Sequence, residues 1–319
     1  MQVVIVGSGH GQLASALLAC RPTWASVQLV GRPTLDLARP HDVSRILEAH
    51  EPEVIINAAA YTDVEGSQAD PGTAYAINRD GVAALAQAAR QLQARLVHVS
   101  TDYVFNGKQG TPYGVNDRPA PLNIYGRSKL TGEWAVERIL GVDGWIVRTA
   151  WLYAAGKKNF VTKVLDKMRA GEKMQVVCDQ VGTPTWACGL AAAIWTGVSK
   201  RLSGIDHWTD AGVASWYDFA QAIQEEALAL GVLHQPVELL AINTDCHLMR
   251  TPRPSFSVLD KSLTWARLEE TGHHWRAQLR HMLQGSSERH ALVFGHGSIA
   301  RLQVARYGNV VRRFLWRRG

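Results

Sequence analysis

The chain opens on Val3-Val4-Ile5-Val6, followed at once by Gly7-Ser8-Gly9-His10-Gly11-Gln12-Leu13-Ala14. That order constrains the fold more than any other stretch. Four β-branched apolar residues in a row predict a strand covered on both faces. Gly9, Gly11 and Ala14 then satisfy the G-x-G-x-x-G/A spacing of a strand–turn–helix unit that receives a dinucleotide. The chemistry asks for a turn with positive φ, a backbone that a pyrophosphate can approach, and a helix N-terminus that favours negative charge. Gly7, Gly9, Gly11, Gln12 and Leu13 are the candidate cofactor contacts. No basic stretch precedes the apolar run, which is expected to start a domain rather than a signal peptide.

The pattern continues through the first half. Short Val- and Ile-rich runs at Gln2–Val6, Val27–Val30, Val54–Asn57, Arg95–Ser100 and Trp145–Arg148 predict strands. Helical patterns fall between them at Gln12–Cys20, Asp42–His50, Thr73–Leu92 and Tyr125–Leu140. Alternation at this spacing predicts an α/β fold, a Rossmann-type doubly wound parallel sheet. The second half is less regular. Helices are expected over Asn159–Ala170, Trp186–Lys200, Ser215–Gly231 and Lys261–Leu283, and a strand over Met174–Val177. Ser215 and Asp218 predict a capping box. The expected organisation is a dinucleotide-binding domain over 1–150, with some later segments returning to it. A smaller C-terminal substrate-binding lobe covers mainly 151–284, and a basic, poorly ordered extension covers 285–319.

At the end of the second strand, where an acid would bind the 2′-hydroxyl of NAD, the chain has Arg32. A guanidinium suits a 2′-phosphate, so NADPH is expected, with NADH as the alternative. Asp36 and Leu37 complete the stretch expected beside the adenosine.

Tyr125 and Lys129 are four residues apart on a predicted helix, which places both on one face. An ammonium beside a phenol stabilises the phenolate and lowers the tyrosine pKa. Such a tyrosine can protonate a carbonyl oxygen as hydride reaches the carbon. Thr101 lies at the carboxyl edge of the fourth strand, where ligands bind in such sheets, and can hydrogen-bond the same oxygen. Thr101, Tyr125 and Lys129 are the candidate catalytic residues. Each alone reads equally well as a packed or solvated side chain. Their order after a glycine loop is what points to a reductase.

Composition narrows the classes further. Apolar residues make up 46% and charged residues 19%, enough for a core and too few charges for a disordered chain. The net charge of +6 resides in the last segment: residues 285–319 hold seven Arg against one acid, Glu288. The 27 basic and 27 acidic residues left of the totals of 34 and 28 then balance over 1–284. The charge therefore gives no reason to expect a nucleic-acid partner for the body. Cys20, Cys178, Cys188 and Cys246 form no C-x-x-C pair, so reduced thiols, no metal site and a cytoplasmic location are expected. No apolar run reaches the ~20 residues of a membrane span.

These residues carry a resemblance. The chain resembles the extended short-chain dehydrogenase/reductases, and among them the dTDP-4-dehydrorhamnose reductase family, over roughly 1–284. The matching blocks are Asn57–Thr62, Ser100–Phe105, Pro121–Gly126, Lys129–Glu133, Arg148–Tyr153, Asn159-Phe160, Asp179–Thr185 and Arg253–Ser257. The resemblance implies reduction of the C4 keto group of dTDP-4-dehydro-L-rhamnose to dTDP-L-rhamnose. It implies Thr101, Tyr125 and Lys129 as the triad. Ala58, Ala59, Ala60 and Thr62 would line the cofactor, together with Tyr125 and Lys129. Thr101, Asp102, Tyr103, Trp151, Asn159, Gln180 and Arg253 would lie by the dTDP-sugar, Arg253 against its diphosphate. Some members hold magnesium through glutamates at a dimer contact. The matching positions here are Ala16 and Cys188, so no such metal is expected, and a homodimer stays open. Two rival readings share these residues: a 4-ketoreductase for another dTDP-deoxysugar, and a non-catalytic NADP-binding regulatory subunit.

Overall fold

The computed structural model describes residues 1–246 and 251–294. Five of its strands match the sequence pattern: β1 (Gln2–Val6), β2 (Ser26–Val30), β3 (Val54–Asn57), β4 (Arg95–Thr101) and β5 (Gly144–Thr149). A sixth, Gly204–His207, joins them. All six are parallel, in the order β2-β1-β3-β4-β5 and then 204–207. This is the doubly wound Rossmann-type sheet that the alternation predicts. Its winding reverses between β1 and β3, and the crevice at the carboxyl ends there is the ligand position in such sheets. β1, β3 and β5 are buried on both faces, whereas the edge strand β2 alternates.

The helices supply those covers. α1 (Gln12–Ala19), α2 (Val43–Glu48), α3 (Val64–Ala69), α4 (Pro71–Tyr75), α5 (Gly81–Gln91) and α6 (Ile124–Leu140) come from the first half. α7 (Phe160–Arg169), α8 (Ala187–Ser199), α9 (Trp216–Ala229), α10 (Ser262–Leu268) and α11 (Trp275–Phe294) come from the second. One face of the sheet packs on α1 and α8 through Leu13, Leu17, Leu190 and Ile194. The other packs on α2, α5 and α6 through Leu47, Leu85 and Val136. A third core lies in the later segments, where Tyr153, Val161, Phe219, Ile223 and Leu279 meet. There Met174–Val177 pairs with Leu239–Ile242, and the Ser215–Asp218 capping box forms as expected.

Two of the expected helices are divided. The single helix expected over 73–92 is interrupted by a π turn at Ala76–Asp80. The helix expected over 261–283 divides into α10 and α11, because Glu269 ends α10 in the left-handed region at φ 58°. α11 continues past residue 284 to Phe294, and the remainder of the basic extension lies outside the described residues.

The loop after 204–207 buries Asp210, whose Oδ2 accepts from Trp186 N at 2.9 Å. Burial pushes this carboxyl up to about 8, against an ordinary value near 3.9. Between those values the unfolded chain has lost a proton that the folded chain keeps. Stability therefore falls as pH rises from about 4 to about 8. Asp210→Asn keeps the acceptor and removes the titration. Its melting temperature should exceed the native one by a margin that widens with pH across that window. A constant margin would refute the assignment.

Candidate active site

The glycine turn leaves β1 at Gly7 and enters α1 through Gly11, the N-cap. It does so without positive φ at Gly7, Gly9 or Gly11, contrary to expectation. The glycines are needed for close approach instead. A β-carbon at Gly11 would lie 3.1 Å from Ser8 O, and one at Gly31 would lie 2.1 Å from Gly7 O. Beside this turn is a cleft of about 330 Å³ lined by Gly7, Ser8, Gly9, Gly31, Arg32 and Thr34. One wall is the Gly7–Gly9 backbone, which leads on into the N-terminus of α1, and the exposed Arg32 lies at the rim. These features fit a dinucleotide with a phosphorylated ribose. Asp36 instead accepts from Ala38 N within its own turn, and Leu13 and Leu37 are core residues.

Across the crevice, β3 ends at Asn57 and turns through Ala58, Ala59 and Ala60, with Thr62 exposed beyond. Two features fix this turn. Ala59 N donates to Asn57 Oδ1 at 3.0 Å. Asn78, from the π turn, accepts from Tyr61 N and donates to Tyr61 O and to Ser128 Oγ. The pattern gave Asn78 no role.

α6 starts where it must for the chemistry. Asn123 caps it, accepting from Gly126 N at 2.9 Å and donating to Pro252 O at 2.9 Å. Gly126 lets the helix settle on β4's exit, since a β-carbon there would lie 2.1 Å from Tyr103 O. Tyr125 is thereby carried to the end of β4, where its phenol lies beside the Thr101 hydroxyl, and its ring meets Tyr103 edge-on at 5.6 Å. Packing around the phenol pushes its pKa above the ordinary value, the reverse of the expected direction. Lys129 is not spent on the phenol. Its Nζ donates to Val99 O at 2.7 Å, and burial pushes it down to about 8. A phenol held protonated at neutral pH is the form an acid needs.

Around this pair lie the other candidates. Asp102 accepts from Thr101 Oγ1 at 3.0 Å, and burial raises its carboxyl to about 6. Burial likewise lifts Tyr103 to about 12. Arg253 reaches Tyr103 Oη at 3.5 Å and Glu65 at 3.5 Å, and its buried Nε has no hydrogen-bond partner among the described residues. Thr251 also donates to Glu65, at 2.7 Å, so Glu65 is a further residue of the site, one that no sequence motif marks. Trp151 follows β5, whose Thr149 is in register with Thr101, and stacks on Trp216 at 3.5 Å. Gln180 donates to Thr244. Asn159 caps α7 and donates to Gln12 Oε1 at 3.1 Å, so this sugar candidate and this cofactor candidate bond each other.

A doubly wound sheet with a glycine cradle at its switch point and a Thr–Tyr–Lys cluster at the end of β4 defines a short-chain dehydrogenase/reductase. Comparison with known proteins narrows the class. The model of the RmlD substrate binding domain family matches residues 1–287, and the chain belongs to that family. A dTDP-4-dehydrorhamnose reductase of Burkholderia thailandensis is 36% identical over 86% of this chain and 96% of its own. A dTDP-4-keto-6-deoxy-D-glucose reductase of Streptomyces niveus is 39% identical over 68% of this chain and 76% of its own. The crystal structure of the Bacillus anthracis dTDP-4-dehydrorhamnose reductase in complex with NADP superposes with a TM-score of 0.82 at 31% identity. It covers 88% of this chain and 98% of that one.

Proposed function

We propose that this chain reduces the C4 keto group of dTDP-4-dehydro-L-rhamnose to an alcohol, giving dTDP-L-rhamnose, with NADPH as reductant. The observation that carries this is the Thr101–Tyr125 hydroxyl pair at the carboxyl end of β4, with Lys129 one turn on and the glycine cradle beside it. NADPH, when bound, supplies the hydride that adds to C4. Gly7, Gly9 and Gly11 with the start of α1 hold its pyrophosphate, Arg32 its 2′-phosphate, and Ala58–Ala60 line its path.

Tyr125 holds the proton that the C4 oxygen takes up, and Thr101 Oγ1, turning its proton from Asp102 to the substrate, donates to the same oxygen and orients it. Lys129 provides positive charge beneath the phenolate that forms. Arg253, with an unused Nε and a guanidinium fork, binds the diphosphate. Trp151 and Tyr103 form apolar walls for the deoxysugar. The reading includes a cytoplasmic enzyme with no nucleic-acid partner, supported by the charge balance of 1–284. No described helix is long and apolar enough to cross a membrane.

The test is a coupled assay. The L-lyxo keto sugar is generated from dTDP-glucose by a dehydratase and an epimerase, and loss of NADPH absorbance is followed on adding this protein. Rapid oxidation only with the keto sugar present is expected; none would refute the proposal. Omitting the epimerase supplies the D-xylo keto sugar instead. Faster turnover of that sugar would favour the second reading, which the Streptomyces niveus relative keeps open.

A further inference from the structure

The floor of the site contains a hydrogen-bond chain whose direction is set at its far end. Ala59 N–H can only donate, so it fixes Oδ1 of Asn57 towards itself, at 3.0 Å. The Nδ2 of Asn57 must then face the other way and donates to Nδ1 of His98 at 3.0 Å. An imidazole whose Nδ1 accepts carries its proton on Nε2 when neutral. That Nε2 faces Nζ of Lys129 at 3.5 Å. Asn57, His98 and Lys129 are all at most 2% exposed, so no solvent stands in for a missing partner.

We propose that Asn57 and His98 are positioning residues for Lys129: they present an N–H to its amine, so that the neutral amine completes the chain and the ammonium does not. When neutral, Lys129 accepts from His98 and donates to Val99 O at 2.7 Å, so the chain eases loss of the proton that the ammonium carries below about pH 8. An ammonium in the same place has one acceptor among the described residues, Val99 O, and an N–H dipole pointing at it. The chain begins on the backbone of the Ala58–Ala60 turn, which the proposed function places along the cofactor. The proton state of the lysine is thereby tied to the geometry of that turn.

Other charged groups face these residues. Glu133, one turn further along α6, favours the ammonium and is itself held by Arg148 of β5. Tyr125 lies one turn earlier on α6. Burial above all, with the ammonium form of Lys129 adding to it, pushes the His98 pKa well below its ordinary value, so the ring stays neutral, which the fixed tautomer requires.

Nuclear magnetic resonance of the full chain, without substrate or cofactor, decides this. It is therefore independent of whether the reductase reading holds. Long-range proton–nitrogen correlations of the imidazoles, assigned with His98→Phe, should show His98 as the Nε2–H tautomer from about pH 6 to about pH 9. An Nδ1–H tautomer would overturn the proposal. In Asn57→Leu the donor to Nδ1 is gone. His98 should switch to Nδ1–H, and the Lys129 side-chain carbon resonance should titrate about one unit higher than in the native protein. A retained Nε2–H tautomer, or a switched tautomer with an unmoved lysine midpoint, would also overturn it. Should Asn57→Leu fail to fold, the tautomer of the native protein still supports or overturns the proposal by itself.

Discussion

Tyr125→Phe is expected to lower kcat by about 10²–10⁴-fold, the usual worth of a positioned general acid. The substitution removes only the hydroxyl. The ring keeps its edge-on contact with Tyr103 at 5.6 Å, and the α6 cap at Asn123 is untouched. NADPH affinity and melting temperature should therefore stay at native values, and the loss should fall on kcat rather than on KM. The raised pKa of the phenol adds a pH signature. A tyrosine still protonated well above neutrality does not set the alkaline limit of the native enzyme. Lys129, titrating about 8, does, because its charge is what steadies the phenolate. The alkaline fall of kcat in the native protein should lie near that value. Retained turnover in Tyr125→Phe would remove the acid assignment while leaving the fold and cofactor site standing.

How much of this was legible follows from where each signal resides. β1, β3 and β5 were readable because burial on both faces leaves continuous apolar runs. The sixth strand, Gly204–His207, was not, because half of it is Asp206 and His207. Asp206 is tolerated only through Trp145 Nε1, Thr264 and Arg267, partners some sixty residues away. The π turn at Ala76–Asp80 is likewise tertiary, since it turns Asn78 towards Tyr61 and Ser128. In the site, helical spacing correctly put Tyr125 and Lys129 one turn apart. It could not say that Lys129 would turn down to Val99 and that burial would outweigh its charge at the phenol. His98 and Glu65 carried no motif. They act through residues brought from other strands and loops, and pairings of that kind leave no periodicity to read.

The second large effect concerns the wall behind Lys129. Glu133 on α6 and Arg148 on β5 form a two-pronged ion pair, with Nη2–Oε2 at 2.7 Å and side-chain exposures of 1% and 2%. The guanidinium also lies over the Phe105 ring at 5.2 Å and beside His207, which burial and this same charge hold neutral, down to about 3. With His207 uncharged, Glu133 is the only group in this set that balances Arg148. Glu133→Leu should therefore destabilise the fold by about 3–5 kcal/mol, because it strands a buried cation rather than merely losing a contact. Urea unfolding would show this as a lower midpoint at an unchanged slope. Replacing both partners, Glu133→Leu with Arg148→Met, removes the stranded charge and should recover most of the loss. The two single effects would then fail to add. A double variant as unstable as the sum of its parts would mean that Arg148 contributes mainly by filling space against Phe105. Activity separates the two roles of Glu133 as well. It is the carboxylate that opposes the burial-driven fall of the Lys129 pKa. The refolded double variant should thus lose activity at a lower pH than the native enzyme, although its stability is nearly restored.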